Sequence, residues 1–229
     1  EQVAQQAAGD LPGFELGLAH ASTADVARGL IDRDILANAE RAIERDFARE
    51  PALAADLRES VAKVRLALGL PKDAARIFAQ VADYRSRALG ATAPETLRAR
   101  QQQAGALLEA AEPKDALALV ETALRDAATL PASEPLRLKL RLNQAEAIAA
   151  LGDRPRARKL MEALRGDAIE LRGERDATTM EVTNNLAILL GRMGEPKAGR
   201  ALLEALVPMR MQVLGADHAD TLSAQHNLA

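Results

Sequence analysis

A polar residue followed two positions later by alanine recurs along the chain. The copies are Ser60-Val61-Ala62, Gln102-Gln103-Ala104, Asn143-Gln144-Ala145, Asn185-Leu186-Ala187 and Asn227-Leu228-Ala229, in steps of 42, 41, 42 and 42 residues. Seven residues past each of the first four alanines stands Gly69, Ala111, Gly152 or Gly194, and a proline follows at Pro71, Pro113, Pro155 or Pro196. Glycine after the last periodic residue lets the chain turn left-handed and end a helix, and proline in the next first turn loses no hydrogen bond. Each period therefore predicts a helical hairpin. First helices are expected near 52–68, 95–110, 134–150, 177–193 and 218–229, and second helices near 72–89, 114–129, 155–171 and 196–213. Pro208 is expected to kink the last of these or end it early.

Small residues on both helices of a hairpin allow close crossing, and the pairs expected to face each other are Ala62 with Ala74, Ala104 with Ala116, Ala145 with Ala157 and Ala187 with Ala198. Four residues past the second alanine, Phe78, Val120, Met161 and Leu202 are expected to fill the layer between hairpins. Residues 22–50 predict a further helix, capped around Ser22 to Asp25 and apolar at Val26, Leu30, Ile35, Leu36, Ile43 and Phe47, which would cover the open end of the first hairpin. Residues 1–21 hold Gly9, Pro12, Gly13 and Gly17 and predict no regular element, although Leu11, Phe14, Leu16 and Leu18 would suit an internal ligand folded back on the repeats.

The segment Arg172 to Met180 aligns with Leu214-Gly215-Ala216-Asp217-His218-Ala219-Asp220-Thr221-Leu222 at a shift of 42, and Leu89-Gly90 with Pro94-Glu95-Thr96-Leu97 is a weaker copy. On these residues the chain resembles the tetratricopeptide repeat, in the variant of about 42 residues found in kinesin light chains. The resemblance implies an all-α fold, a right-handed superhelix of helical hairpins with an N-terminal capping helix. Residues 1–50 are then the N-terminal segment and cap, followed by repeats at 51–92, 93–131, 132–173 and 174–215 and an incomplete one at 216–229. The third repeat opens at Pro131-Ala132-Ser133 and departs from the pattern. Arg33-Asp34-Ile35-Leu36 to Ala42-Ile43-Glu44-Arg45, followed by Pro51, further resembles the lead-in to the C-terminal repeats of bacterial serine/threonine protein kinases. The chain accordingly reads as a piece of a larger protein.

Composition narrows the function. Hydrophobic residues make up 48% but aromatics 2%, with 50 alanines among 229 residues, which suits closely packed helices and not a β-sandwich. There is no cysteine, so disulfides, thiolate metal sites and cysteine nucleophiles are excluded while the compartment stays open. Thirty basic against 33 acidic residues, net −3, and no interleaved aromatics argue against nucleic-acid binding. The longest uncharged run, Val182 to Gly191, is far short of a membrane span, so no insertion by this segment is expected. The domain is expected to be soluble, either cytoplasmic or on the periplasmic side of a membrane-anchored protein.

None of the phosphate-transfer motifs of a kinase is present, so any kinase link is regulatory. Ser60-Val61-Ala62-Lys63 matches Ser-x-x-Lys without its partner motifs and falls inside a repeat helix. His218 and His226 lie eight apart and read as repeat positions, not metal ligands. No catalytic residue, metal or cofactor is expected. The resemblance implies that first helices line a concave face where extended peptides are held by polar side chains, often asparagine. The triplet-leading residues map onto that face, and one turn earlier stand Asp56, Arg98, Lys139, Glu181 and Ser223 on the same stripe. The expected groove residues are Arg98, Gln102, Lys139, Asn143, Glu181, Asn185 and Asn227, with Arg98 and Lys139 favouring a protein or peptide that carries acidic groups or a free carboxylate. Arg154, Arg156, Arg158, Lys159 and Arg165 form a second basic cluster, expected on the solvated convex side. The chain thus reads as a non-catalytic peptide-binding domain, the regulatory or docking part of a bacterial signalling protein such as a serine/threonine kinase. Three alternatives stand beside this: a sensory domain of a DNA-binding regulator, an enzyme with a helical-repeat body, and self-association through the open last repeat.

Overall fold

The computed structural model describes residues 29–132 and 134–229, and all regular structure among them is helical. The chain divides into two units, the first ending at Gly69 and the second beginning at Leu70. The expected cap at Ser22 to Asp25 and the expected internal ligand at Leu11 to Leu18 lie outside the described residues.

The first unit contains a π-helical turn, Ile31–Leu36, running directly into α1, Ala37–Asp46, and then α2, Pro51–Ala67, which packs on α1. The π turn shifts the helical register, so Leu36 and Ile43 are buried while Leu30 and Ile35, also read as apolar-face positions, point outward. Arg65 of α2 is buried and its guanidinium is shared between two carboxylates, with Nε donating to Asp32 Oδ1 at 2.9 Å and Nη1 paired with Glu40. One cation thereby ties α2 to both the π turn and α1.

The second unit runs through α3, Pro71–Leu89; α4, Pro94–Glu109; α5, Pro113–Asp126; α6, Pro135–Ala150; α7, Arg154–Arg172; α8, Ala177–Arg192; α9, Pro196–Leu214; and α10, Ala219–Leu228. A 3₁₀ turn, Ala127–Thr129, finishes the second helix of the α4/α5 hairpin. Each helix packs on its successor, and the first helices α4, α6 and α8 also pack on one another in order. The core is therefore a series of layers. Leu97, Ala123, Ala127 and Leu140 fill the layer between α4/α5 and α6; Leu138, Leu142, Ile148, Met161 and Leu164 fill the next with Val182 and Leu186; and Met180, Leu203 and Leu206 meet α10 at Ala224. Each fully buried leucine contributes about 1.5–3 kcal/mol of burial free energy, and every layer needs both neighbours to close it.

Two registers differ from expectation. In the last hairpin the residue facing Ala187 is Gly199, not Ala198, which is exposed, and the layer is filled by Leu203, with Leu202 only half-buried. The cause is the position of the proline. Pro71, Pro113 and Pro196 are the first helical residue, so the facing position comes three later, whereas α7 begins one residue before Pro155. Of the two outcomes expected at Pro208, the early end does not occur, as α9 continues through it to Leu214. Pro208 and Glu204 both lie on the exposed face, so the carbonyl that loses its N–H partner is left to water and the packed face is undisturbed.

The hairpin turns at Gly69, Gly152 and Gly194 have positive φ of 74°, 99° and 83°, and Ala111 is held at +59° in the corresponding turn. For an L-residue with a Cβ that conformation costs about 1–2 kcal/mol. Ala111→Gly is expected to raise the stability of the second unit by about 0.5–1 kcal/mol, measured by urea unfolding, once the extra freedom of the unfolded glycine is subtracted.

Candidate binding surface

The first helices α4, α6, α8 and α10 present the expected residues in register. Arg98 on α4 is exposed, Gln102 half-buried; Lys139 on α6 is half-exposed; Glu181 and Asn185 on α8 are partly exposed; Asn227 on α10 is exposed. Asn143 is the exception, at 5% exposure. Its Nδ2 donates to the Gln101 carbonyl of α4 at 3.1 Å. The amides of the later repeats do the same kind of thing: Asn185 Nδ2 donates to Glu146 Oε1 of α6 at 2.5 Å, and Asn227 Nδ2 donates to Asn184 Oδ1 of α8 at 3.3 Å. Asn184 in turn donates to Asn185 Oδ1 at 3.2 Å. The asparagine row is thus a ladder in which each first helix reaches back to the one before. In the first unit Ser60 donates its hydroxyl to the Asp56 carbonyl one turn back on α2 at 3.1 Å.

Charge on this surface is partly cancelled. Lys139 Nζ lies 3.4 Å from Glu181 Oε2 on the next first helix, a half-exposed pair worth at most about 1 kcal/mol. Arg98 stands exposed without an ion pair to any described residue. Glu146, which the sequence reading did not select, sits between the rungs. The residue as a whole is partly exposed, but its carboxyl group is enclosed. Burial pushes its pKa up from the usual carboxylate range to about 7, the neighbouring Glu181 and Glu109 carboxylates push the same way, and Arg192 opposes them. Partial burial also raises Glu109. A cleft of about 340 Å³ opens beside Glu146 between α6, α7 and α8, with Asn185, Arg154 and Arg192 at its rim and Met161 and Leu189 in its wall.

The signal that would have found Glu146 is in the repeat alignment. Three residues past the triplet-leading position the other repeats carry Lys63, Gly105 and Ile188, so a carboxylate is foreign to that place.

Of the second basic cluster, Arg156 and Lys159 are exposed, and the other three members are engaged within the protein. Arg158 bridges Glu162 and Glu195 at 2.7 and 2.6 Å, Arg165 donates to Thr183 Oγ1 at 3.1 Å, and Arg154 donates to the Arg192 carbonyl at 3.3 Å. His218 is the N-cap of α10, its Nδ1 accepting from the Asp220 N–H at 3.2 Å, just as Asp176 caps α8 with Oδ1 accepting from Thr178 and Thr179. Lys63, the second member of the Ser-x-x-Lys match, is paired with Glu59 at 2.5 Å.

Solved structures share this arrangement. A Podosopora anserina kinesin-light-chain-type protein with nearly identical TPR-like repeats aligns at TM-score 0.57 and 23% identity, covering 75% of this chain and 82% of that one. The fold is that of tetratricopeptide-type helical repeats. A singly substituted form of the same protein aligns at 0.57 and 22% over 75% and 81%, and BtubC (BKLC) from P. vanneervenii at 0.62 and 16% over 91% and 82%. No protein-family model matches the sequence, and no curated protein does. No helix among the described residues is long and apolar enough to cross a membrane.

Proposed function

We propose that this chain is a protein- or peptide-binding scaffold whose partner lies along the first helices of the second unit. Tetratricopeptide-type repeats hold partners by a repeated surface, and here the observation that carries the reading is an amide position on each of α4, α6, α8 and α10, in register, with a charged residue one turn earlier on the first three and Ser223 on α10. Arg98 supplies the free charge. Gln102, Asn185 and Asn227 supply amides at the rim, and Asn143 fixes the spacing of α4 and α6 beneath them. The Lys139–Glu181 pair lies across the path and opens where a partner carboxylate competes for the lysine. The preferred partner therefore carries an acidic side chain or a free carboxylate, taken by Arg98, which can hold it bidentately. The resemblance of residues 33–45 to a kinase lead-in supports a place as the docking part of a larger signalling protein.

The test is selection of peptides from a randomised display library on the wild-type protein. Expected are sequences enriched in Asp, Glu or a free C-terminus, and Arg98→Glu is expected to weaken the best of them at least tenfold with unchanged helicity by circular dichroism. Peptides that bind the charge-reversed protein equally well would remove the proposed role of Arg98 and the acidic preference with it.

A further inference from the structure

Two residues along from Arg98, Lys139 and Glu181 the first helices present their opposite side, and there the repeats disagree. In the α4/α5 hairpin Arg100 pairs with Asp126 at 2.5 Å, and one period later, in α6/α7, Arg141 pairs with Asp167 at 2.6 Å. One period later again, in α8/α9, the same two positions hold Thr183 and Met209. Both line a cleft of about 70 Å³ between α7, α8 and α9. Arg165 of α7 lines it too, at a place where the other second helices carry Ala82, Leu124 and Val207. An arginine thus reaches this position from the neighbouring hairpin, without the carboxylate that accompanies it in the two repeats before. We propose that the cleft between α7, α8 and α9 is a binding site for a carboxylate group on a short apolar stem, with Arg165 as its counter-charge and the Thr179 hydroxyl as a second donor.

The polar groups of the cleft are set for an acceptor. Arg165 Nε donates to Thr183 Oγ1 at 3.1 Å and the Thr183 hydroxyl donates to the Thr179 carbonyl at 2.8 Å, so the guanidinium is fixed in place, yet it forms no ion pair with any described residue. Thr179 is 2% exposed, and its hydroxyl has no hydrogen-bond partner among the described residues. The threonines at its place in other repeats, Thr96 and Thr221, donate theirs to the Gly90 and Gly215 carbonyls. A buried hydroxyl left open is unfavourable, and a ligand oxygen would satisfy it. The nearby acids are already matched: Asp167 is held by Arg141, Glu162 by Arg158 and Asp176 by Arg172. On α9, Arg210 is turned to the Asp220 and Met180 carbonyls. Glu174 is the one acid among the lining residues, and it is exposed, so water and salt screen it, whereas Arg165 is half-buried. A carboxylate therefore meets the cation in the enclosed part of the cleft, where an ammonium group would meet a like charge. Ile169, Leu202, Leu206 and Met209 give the stem an apolar wall. The volume is well below the roughly 300–1,000 Å³ of pockets that enclose a whole drug-sized ligand, so it suits a headgroup and its stem. An aspartate or glutamate side chain of a bound partner brings this group, and that source rests on the scaffold reading above; a free short-chain carboxylic acid brings the same chemistry without it.

The experiment titrates the wild-type protein with butyrate, butylammonium, butanol and inorganic phosphate, following the Ile169 methyl resonances by NMR. Saturable shifts with butyrate are expected, and none with butylammonium or butanol at the same concentrations. Arg165→Leu, which installs the residue that α5 has at this place, is expected to weaken butyrate binding at least tenfold. Met209→Asp returns the carboxylate of the two earlier repeats to Arg165 and is expected to abolish it. Glu174→Gln should strengthen binding about twofold by removing the acid at the rim. Arg98→Glu should leave it unchanged, which separates this site from the peptide-binding surface. Nα-acetyl-glutamic acid N-methylamide tells the sources apart: binding as tight as that of butyrate places the carboxylate on a partner chain, and butyrate binding alone identifies a free acid. No saturable shift with butyrate, equal binding of butanol, or a preference for butylammonium or phosphate in the wild-type protein would each overturn the proposal, whether or not the substituted proteins fold.

Discussion

Gly199→Val is expected to cost the second unit about 3 kcal/mol or more in stability and Gly199→Ala up to about 2, while Gly166→Ala is expected to gain about 1. The contrast lies in what a new Cβ meets. At Gly199 it would fall 2.5 Å from the Ala187 carbonyl oxygen and 3.5 Å from the Gly191 nitrogen, both backbone atoms of α8 that cannot rotate aside. Helix α9 must move away from α8, and overpacking of this kind costs about 1–3 kcal/mol for one added group, more for a branched one. Against this stands the gain of about 1 kcal/mol that alanine has over glycine in a helix interior. At Gly166, exposed on α7 with nothing within 4 Å of the added atom, only the gain operates. Thermal unfolding by circular dichroism and urea denaturation of the three variants decide it. A Gly199→Ala protein as stable as Gly166→Ala would mean that α8 and α9 separate freely and that the close crossing contributes nothing.

The same glycine shows where the sequence was legible. The period, the hairpins and all nine repeat-helix boundaries could be read to within about three residues, because glycine and proline mark helix ends by backbone physics alone. Facing residues could not all be read. Pro155 occupies the second helical position where Pro71, Pro113 and Pro196 occupy the first, so counting from proline put Ala198 where counting from the helix start puts Gly199. The π turn at Ile31–Leu36 left no mark in an apolar spacing that a plain α-helix fits as well. Continuation of α9 through Pro208 depends on which face the proline takes, and that is set by packing.

On the binding surface the stripe was legible because i and i+4 share a face, whereas partners across the stripe were not. Lys139 and Glu181 are one period apart on adjacent first helices, so their pairing was implicit in the alignment, yet each read as an independent surface charge. Asn143 and Asn185 occupy equivalent positions but donate to different groups, a backbone carbonyl in one case and Glu146 in the other, because Gly105 leaves nothing for Asn143 to meet where Glu146 meets Asn185. Glu146 was overlooked because a lone glutamate on an alanine-rich helix carries no motif. Only comparison with Gly105 and Ile188 makes it stand out.

The second large effect is expected at Arg210, where truncation to alanine should cost about 2–3 kcal/mol and release α10 before the rest of the unit. Arg210 belongs to α9 and is 5% exposed. Nη1 donates to the Asp220 carbonyl at the start of α10 at 2.6 Å and Nη2 to the Met180 carbonyl at the start of α8 at 3.3 Å, so one side chain joins three helices. Its counterpart three repeats earlier is Arg85, also buried, and the threonines that follow behave alike: Thr96 donates its hydroxyl to the Gly90 carbonyl at 2.9 Å and Thr221 to that of Gly215 at 2.8 Å. The two intervening repeats carry the small residues Ala127 and Ala168 in place of the arginine, both fully buried. Arginine is therefore one of two solutions to the same space, and its charge is not free of cost. Burial lowers the Arg210 pKa against the pull of Asp220 and Glu181, and Nε is buried without a hydrogen-bond partner. Methionine, which keeps the stem but neither the charge nor the donors, is accordingly expected to lose less than alanine, about 1 kcal/mol. Hydrogen exchange separates the contributions. In Arg210→Ala the amides of α10 should lose protection while those of α6 and α7 keep it, since α10 closes only the terminal layer. Uniform loss across the second unit would mean that Arg210 holds the whole stack and not its last helix.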